Sequence, residues 1–457
     1  MKKKILALFM AMTMAAGLAA CSSPTSAPSQ DAPETNTESN SQSQETDAGE
    51  KVMLRMLSTQ PNVGEEIMDN FMAENPNIEI EFIYCTSADY SAKFAALASA
   101  GEIPDVFWTQ SAYYMDQITD EMLMDLTDYM DTDCYEGDMP WGETYEPILL
   151  SNMTNLVTQT LGEKYSDKIY GVPFSMTTVA VLYNKTIYEE LGLKAPETWE
   201  EFQANCQTLV DNGYAAINHQ NNNCVDWFPR LFWDQYCRDE IDTQGLTFED
   251  GTMTFSSKSV QQGLIAMKEM WDAGYFPENS MTADLQGVQQ AFIQGVLAQV
   301  MITPTNLEYI MDHAPEDMEL ATYVLPGIAG LPTRSLGGAS NIFAISATTE
   351  HPEEAVLLTK YLTSRKNYQT ASSLRYTASG LVNMEFDDTM EDIMTAYNQA
   401  SSNGFCPDIY VPTNVSAEIN TTFMTDLLPN YLSGQYDLDY VCSQLQALYD
   451  EYLAGLN

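Results

Sequence analysis

Gly101-Glu102-Ile103-Pro104-Asp105-Val106-Phe107-Trp108 is the stretch whose reading decides the fold class. Residues 103–108 form a short apolar strand, and they follow a helical stretch over 88–99. Further back, 52–57 is another short apolar strand. Val63, Ile67 and Phe71 then mark a helix face at i+4 spacing, and Asn75-Pro76 closes it. Ile78, Ile80 and Phe82 alternate with Glu79 and Glu81, the pattern of a half-buried strand. Strands alternating with helices in this way predict α/β layers. The later sequence continues the alternation. Thr198-Trp199-Glu200-Glu201 is a capping box that opens a helix. Val260, Leu264, Met267 and Trp271 form one helical stripe, and Leu438, Val441, Leu445, Leu448 and Tyr452 form another. Pro352, followed by Glu353 and Glu354, starts a helix whose buried face is Ala355, Leu358 and Leu362.

The chain has 457 residues, 45% of them hydrophobic, which permits a large core. From Lys51 onward neither a low-complexity break nor an internal repeat appears, so the body reads as one unit. Its charge is extreme, with 65 acidic against 19 basic residues and a net charge of −46. Such a surface repels phosphate backbones and anionic membranes, which excludes nucleic acid as a partner. Three widely spaced histidines leave little for metal chemistry or a histidine relay, and the reading assigns no metal, cofactor or catalytic residue.

Lys2, Lys3 and Lys4 precede an apolar run from Ile5 to Leu18, too short to span a membrane and shaped like a secretory signal over 1–20. Leu18-Ala19-Ala20-Cys21 resembles the bacterial lipobox, which makes Cys21 the expected site of lipidation. Residues 22–50 contain no aromatic and no aliphatic larger than alanine, so 21–50 reads as a lipid-anchored, disordered linker. The expected location is the extracytoplasmic face of a bacterial cell membrane. The other seven cysteines include no C-x-x-C pair and indicate no disulfide framework. A single bridge, such as Cys224 with Cys237, stays open.

Five ordered segments resemble family 1 extracellular solute-binding proteins, the carbohydrate receptors of ABC importers. They are Gly101–Trp108; Lys168-Ile169-Tyr170-Gly171-Val172-Pro173 with Leu182-Tyr183-Asn184-Lys185; Pro196-Glu197-Thr198-Trp199-Glu200-Glu201-Phe202; Phe292-Ile293-Gln294-Gly295 through Pro304; and Gly337-Gly338 through Leu362. The resemblance implies an α/β, two-lobe periplasmic-binding-protein fold with the ligand cleft between the lobes. It places lobe one at 51–176 and 346–403, and lobe two at 177–345 and 404–457. Three interlobe crossovers then fall near 175–178, 341–346 and 401–407. It also implies a monomeric receptor that closes on its ligand and presents it to permease subunits in the membrane.

Carried onto this sequence, the family's cleft positions are Gln60, Trp108, Ser111, Tyr113, Thr177, Asp226, Trp227, Thr305, Asn306 and Gly338. A neutral sugar offers flat C–H faces and a rim of hydroxyls, so aromatic plates and amide or carboxylate groups suit it. The family often carries a tryptophan just after the proline matching Pro304. Here Thr305-Asn306 follows, so Trp108 and Trp227 are the expected principal plates, one from each lobe. Other ligand classes are a polyamine, drawn by the acidic field, and a uronate or phosphorylated sugar met by Arg230, Arg334 or Arg375. The enzyme alternative is a secreted glycosidase, which needs only two carboxylates. The reading favours a binding protein over an enzyme, with a neutral mono- or oligosaccharide as ligand.

Overall fold

The computed structural model describes residues 51–60, 63–86, 89–386, 388–406 and 411–456. The expected signal, Cys21 and the linker lie outside the described residues. Among those described, no helix is long and apolar enough to cross a membrane.

Two sheets organise residues 51–456. The first contains β1 (Val52–Ser58), β2 (Ile78–Tyr84), β3 (Val106–Thr109), β4 (Val172–Thr177) and β9 (Gly338–Ile345), in the order β2-β1-β3-β9-β4. β1 runs parallel to β2 and β3, with Val52 opposite Ile78 and Met56 opposite Val106. β9 is antiparallel to both of its neighbours, pairing Trp108 with Phe343 and Thr177 with Gly338. The second sheet contains β5 (Ala180–Asn184), β6 (Asn218–His219), β7 (Gln299–Ile302) and β8 (Leu320–Tyr323), in the order β6-β7-β5-β8.

Side-chain alternation along β5 and β7 explains why the second sheet is covered on both faces. Ala180, Leu182, Val300 and Ile302 enter one core cluster, whereas Val181, Tyr183 and Met301 enter another on the opposite face. The helices form where their caps and stripes predict. The Thr198 hydroxyl accepts from the Glu201 amide at 3.2 Å, and the Glu201 carboxylate reaches back to the Glu197 amide at 2.8 Å. The last helix is turned slightly from the expected stripe: Val441, Cys442, Leu445 and Tyr449 are buried, while Leu438, Leu448 and Tyr452 only flank the core.

Two segments sit apart from their expected lobes. The resemblance places Thr177 and residues 338–345 in lobe two, but Thr177 ends β4 and 338–345 form β9, both in the first sheet. It places the helix Asp388–Ser402 in lobe one, yet Met390, Ile393, Met394 and Tyr397 pack on Ala180, Leu182, Val300 and Ile302 of the second sheet. An apolar strand or amphipathic helix states that it needs a partner but not which one, and here tertiary packing chose. All seven described cysteines are free thiols, so the Cys224–Cys237 bridge left open by the sequence is not formed.

Two segments passing between the sheets, after β4 and before β9, meet at buried Ser335, where residues 404–406 also pack. Because the helix Asp388–Ser402 already lies on the second sheet, the third passage falls before residue 388 rather than at the expected 401–407. The Ser335 hydroxyl lies 2.9 Å from the Thr178 hydroxyl and accepts from the Val179 amide at 2.9 Å. Its backbone donates to Gly404 and accepts from Cys406. Nearby, Gly337 adopts φ +107°, and a Cβ there would lie 2.3 Å from the Thr177 carbonyl oxygen, so only glycine fits this turn.

Candidate functional site

Open α/β sheets bind ligands beyond the carboxyl ends of their strands. On the first sheet, those ends carry Gln60 after β1, Tyr84 at the end of β2, Trp108 near the end of β3, and Thr177 at the end of β4. Gln60 is half-buried, with its amide donating to the Ser58 hydroxyl at 3.0 Å. Its Nε2 donates to Asn341 Oδ1 at 2.9 Å, and the Trp108 indole Nε1 donates to that same oxygen at 2.9 Å. Gln60 and Trp108, far apart in sequence, are thus brought together by one side chain of β9.

Trp108 is only 2% exposed. Tyr90 meets its ring edge-on at 4.8 Å, and the Tyr90 hydroxyl donates to the Trp108 carbonyl at 2.5 Å. Tyr113, in the helix Ser111–Thr119 that begins at Ser111, is half-buried and lies 5.1 Å from the same Tyr90 ring. Thr177 is exposed and stands opposite the half-buried Gly338.

A second group surrounds the end of β6 and the turn after β7. Gln220, buried beyond His219, accepts through Oε1 from the Thr303 amide at 3.2 Å, the Thr303 hydroxyl at 3.2 Å and Asn306 Nδ2 at 3.0 Å. Asn306 also donates to the Thr303 hydroxyl at 2.9 Å, so its amide group stabilises its own loop rather than projecting outward. Thr305 is exposed beside it. Asn222 and Asn223 are exposed in the turn that leads to Asp226.

Asp226 is 4% exposed and lies 3.8 Å from the Arg230 guanidinium. Burial raises its pKa above the ordinary carboxylate value, and the Arg230 charge offsets that only in part. Trp227, which heads the helix Trp227–Arg238, is 9% exposed and belongs to the core cluster of the second sheet. Neither Trp108 nor Trp227 therefore presents an open face here. The sequence places Trp108 at a strand end, as β3 shows, but the depth of a ring depends on neighbours such as Tyr90. Tyr84, 52% exposed at the end of β2, is an aromatic that the sequence reading passed over. Asn341 and Gln220 were missed as well, since an amide beside apolar strand residues carries no signal until its partners are located.

Two polar clusters elsewhere have local explanations. Burial holds the His219 pKa down to about 4, which keeps the ring neutral, and Nε2 lies 2.9 Å from the Ser280 carbonyl. Cys134, Glu136 and Asp138 converge within 4.8 Å of one another, but the Arg365 guanidinium occupies their centre, 2.5 Å from Asp138 and 3.6 Å from Glu136.

The family model for bacterial extracellular solute-binding proteins matches residues 57–369. The chain belongs to this family. Among curated proteins it resembles the multiple sugar-binding protein of Streptococcus mutans, with 24% identity over 213 residues, 45% of this chain and 50% of that protein. The chain thus matches about half the length of the curated relatives. Among solved structures it resembles apo RafE from Streptococcus pneumoniae, with TM-score 0.67, 20% identity, and coverage of 87% of this chain and 97% of that one. It also resembles the sugar-binding protein MalE from Xanthomonas citri, with TM-score 0.67, 18% identity, and coverage of 88% and 98%. These likenesses establish a two-lobe α/β solute-binding fold.

Asp226 supplies a test that separates stability from binding. Its raised pKa means that the folded state holds the proton more tightly than the unfolded chain, so stability falls as pH rises through that range. Asp226→Asn removes this penalty. It should raise the melting temperature at pH 7, and the gain should vanish on acidification below the ordinary carboxylate range. If the carboxylate also accepts a ligand hydroxyl, affinity should fall about tenfold. Thermal melts across pH together with calorimetry check both outcomes.

Proposed function

We propose that the chain is a non-catalytic, extracytoplasmic receptor that binds a neutral mono- or oligosaccharide between its lobes and delivers it to an ABC importer. Family membership supplies the solute-binding role. The observation that carries the saccharide reading is the chemistry at the strand ends, where exposed Thr177, Asn222, Asn223 and Thr305 join half-buried Gln60 and Tyr113. These are neutral hydrogen-bonding and aromatic groups suited to hydroxyls and sugar faces. The complex of RafE with raffinose is a structural neighbour of the chain, with TM-score 0.60. The net charge of −46 works against a uronate or phosphorylated ligand. Asp226 faces the Arg230 cation, whereas glycoside hydrolysis works with a pair of carboxyl groups.

In this reading lobe one comprises 51–177 and 338–384, lobe two comprises 178–337 and 388–456, and the residues around Ser335 form the hinge. Ligand contacts come from Gln60, Ser111, Tyr113, Thr177, Asp226, Thr305 and Gly338. Trp108, Trp227 and Asn306 support the walls behind them. Permease subunits recognise the closed form, and a diacylglycerol on Cys21 holds the receptor at the membrane, because two acyl chains give stable attachment where one does not.

Thermal melts with raffinose, maltotriose, xylotriose and chitobiose, beside galacturonate and spermidine, test the ligand class. A neutral sugar at about 100 times its Kd should add about 2.7 kcal/mol to stability, and it should be recovered intact. Stabilisation by galacturonate or spermidine alone, or hydrolysis of the sugar, contradicts the proposal. The anchor is tested separately. Cys21→Ala should move the protein from the membrane fraction to the soluble fraction with its melting temperature unchanged, and retention in the membrane fraction counts against lipidation.

A further inference from the structure

Asn341 is half-buried in β9, one residue beyond the pairing of Thr109 with Ile342. It faces the loop after β1 and the strands β3 and β4 at once. Its Oδ1 accepts from Gln60 Nε2 and from Trp108 Nε1, both at 2.9 Å, and its Nδ2 donates to the Ser175 hydroxyl at 2.7 Å. The indole N–H is only ever a donor, which fixes the amide orientation: the oxygen must face Trp108 and the nitrogen must face Ser175.

The backbone is adapted to the same contact. β4 pairs Ser175 with Asn341, and the register shifts on both sides of Ser175, between Pro173 and Ser175 and again before Met176. An irregularity of this kind re-aims a side chain, and here it accompanies a buried hydroxyl directed at the Asn341 amide. Pro173, which has no N–H to give to the ladder, lies where the register first shifts.

The consequence falls on Gln60. With Nε2 engaged by Asn341, and also 3.4 Å from the Thr59 hydroxyl, its Oε1 is left without a partner among the described residues. We infer that Asn341 is a positioning residue for the saccharide site, holding Trp108 in place and orienting Gln60 so that Oε1 is presented as an acceptor for a ligand hydroxyl. The inference rests on the saccharide-receptor reading for its ligand, but not for its geometry. It assigns a polarity to this corner of the cleft, which takes a hydroxyl donor and disfavours a ligand carboxylate or phosphate.

The experiment labels the six tryptophans of the full chain with ¹⁵N, assigns the Trp108 indole signal through Trp108→Phe, and compares Asn341→Leu with Asn341→Asp. In the absence of ligand, Asn341→Leu should shift the Trp108 indole N–H signal, speed its hydrogen exchange and leave the other tryptophans in place. Affinity for the sugar of the neutral panel that wild type binds most tightly should fall about tenfold, the scale of one lost hydrogen bond. Asn341→Asp keeps the acceptor, and Ser175 can turn its hydroxyl to donate, so this variant should restore the signal and most of the affinity. An unmoved indole signal in Asn341→Leu overturns the inference. So does a moved signal with affinity within twofold of wild type. If wild type binds no sugar in the panel, the receptor reading fails, while the ligand-free indole signal still decides whether Asn341 positions Trp108.

Discussion

The hydrogen bonds of Ser335 are the constraint on which the rest of the architecture depends. The chain leaves the first sheet after β4 and returns to it at β9, and these two connecting segments lie side by side at Ser335. Buried backbone groups in that place need partners. Ser335 supplies them in several directions, through its hydroxyl to Thr178 and Val179 and through its backbone to Gly404 and Cys406. Phe405, between those last two residues, packs on Leu149, Met176 and Ala378, so the junction has an apolar side as well. Hydrogen bonds tie the segment leaving β4, at Thr178 and Val179, to the segment returning to β9, at Ser335, and the small apolar cluster packs beside them.

The fold was legible where local chemistry settles the answer. Alternation in Ile78-Glu79-Ile80-Glu81-Phe82, the Thr198 cap, and proline at the start of Pro352–Leu362 each specify an element without reference to distant residues. The allocation of elements between sheets was less legible. β9 and the helix Asp388–Ser402 carry ordinary apolar patterns, and their partners are chosen by chain-wide packing. The irregular turns Asp239–Thr243 and Phe423–Leu427, wound more widely than an α-helix, also left no trace in the periodicity.

The candidate site divides along the same line. The family resemblance pointed to Gln60 and Thr177, which stay at least partly exposed beyond the strands, and to Asp226, which the fold buries beside Arg230. The resemblance also pointed to Trp108 and Trp227, which the fold buries as well. Their burial follows from Tyr90 edging against one ring and from the second-sheet core enclosing the other. Asn341 shows the converse case. A single amide among Ile342, Phe343, Ala344 and Ile345 has no periodicity to announce it, yet it joins three strands at the point where ligand recognition is proposed.

Small-angle scattering, with and without a saturating neutral sugar identified by the melts, tests the central claim of a receptor that closes about the Ser335 junction. The account predicts a smaller radius of gyration for the sugar-bound protein, reversible when the sugar is dialysed away. A radius unchanged under conditions where calorimetry shows stoichiometric binding contradicts it.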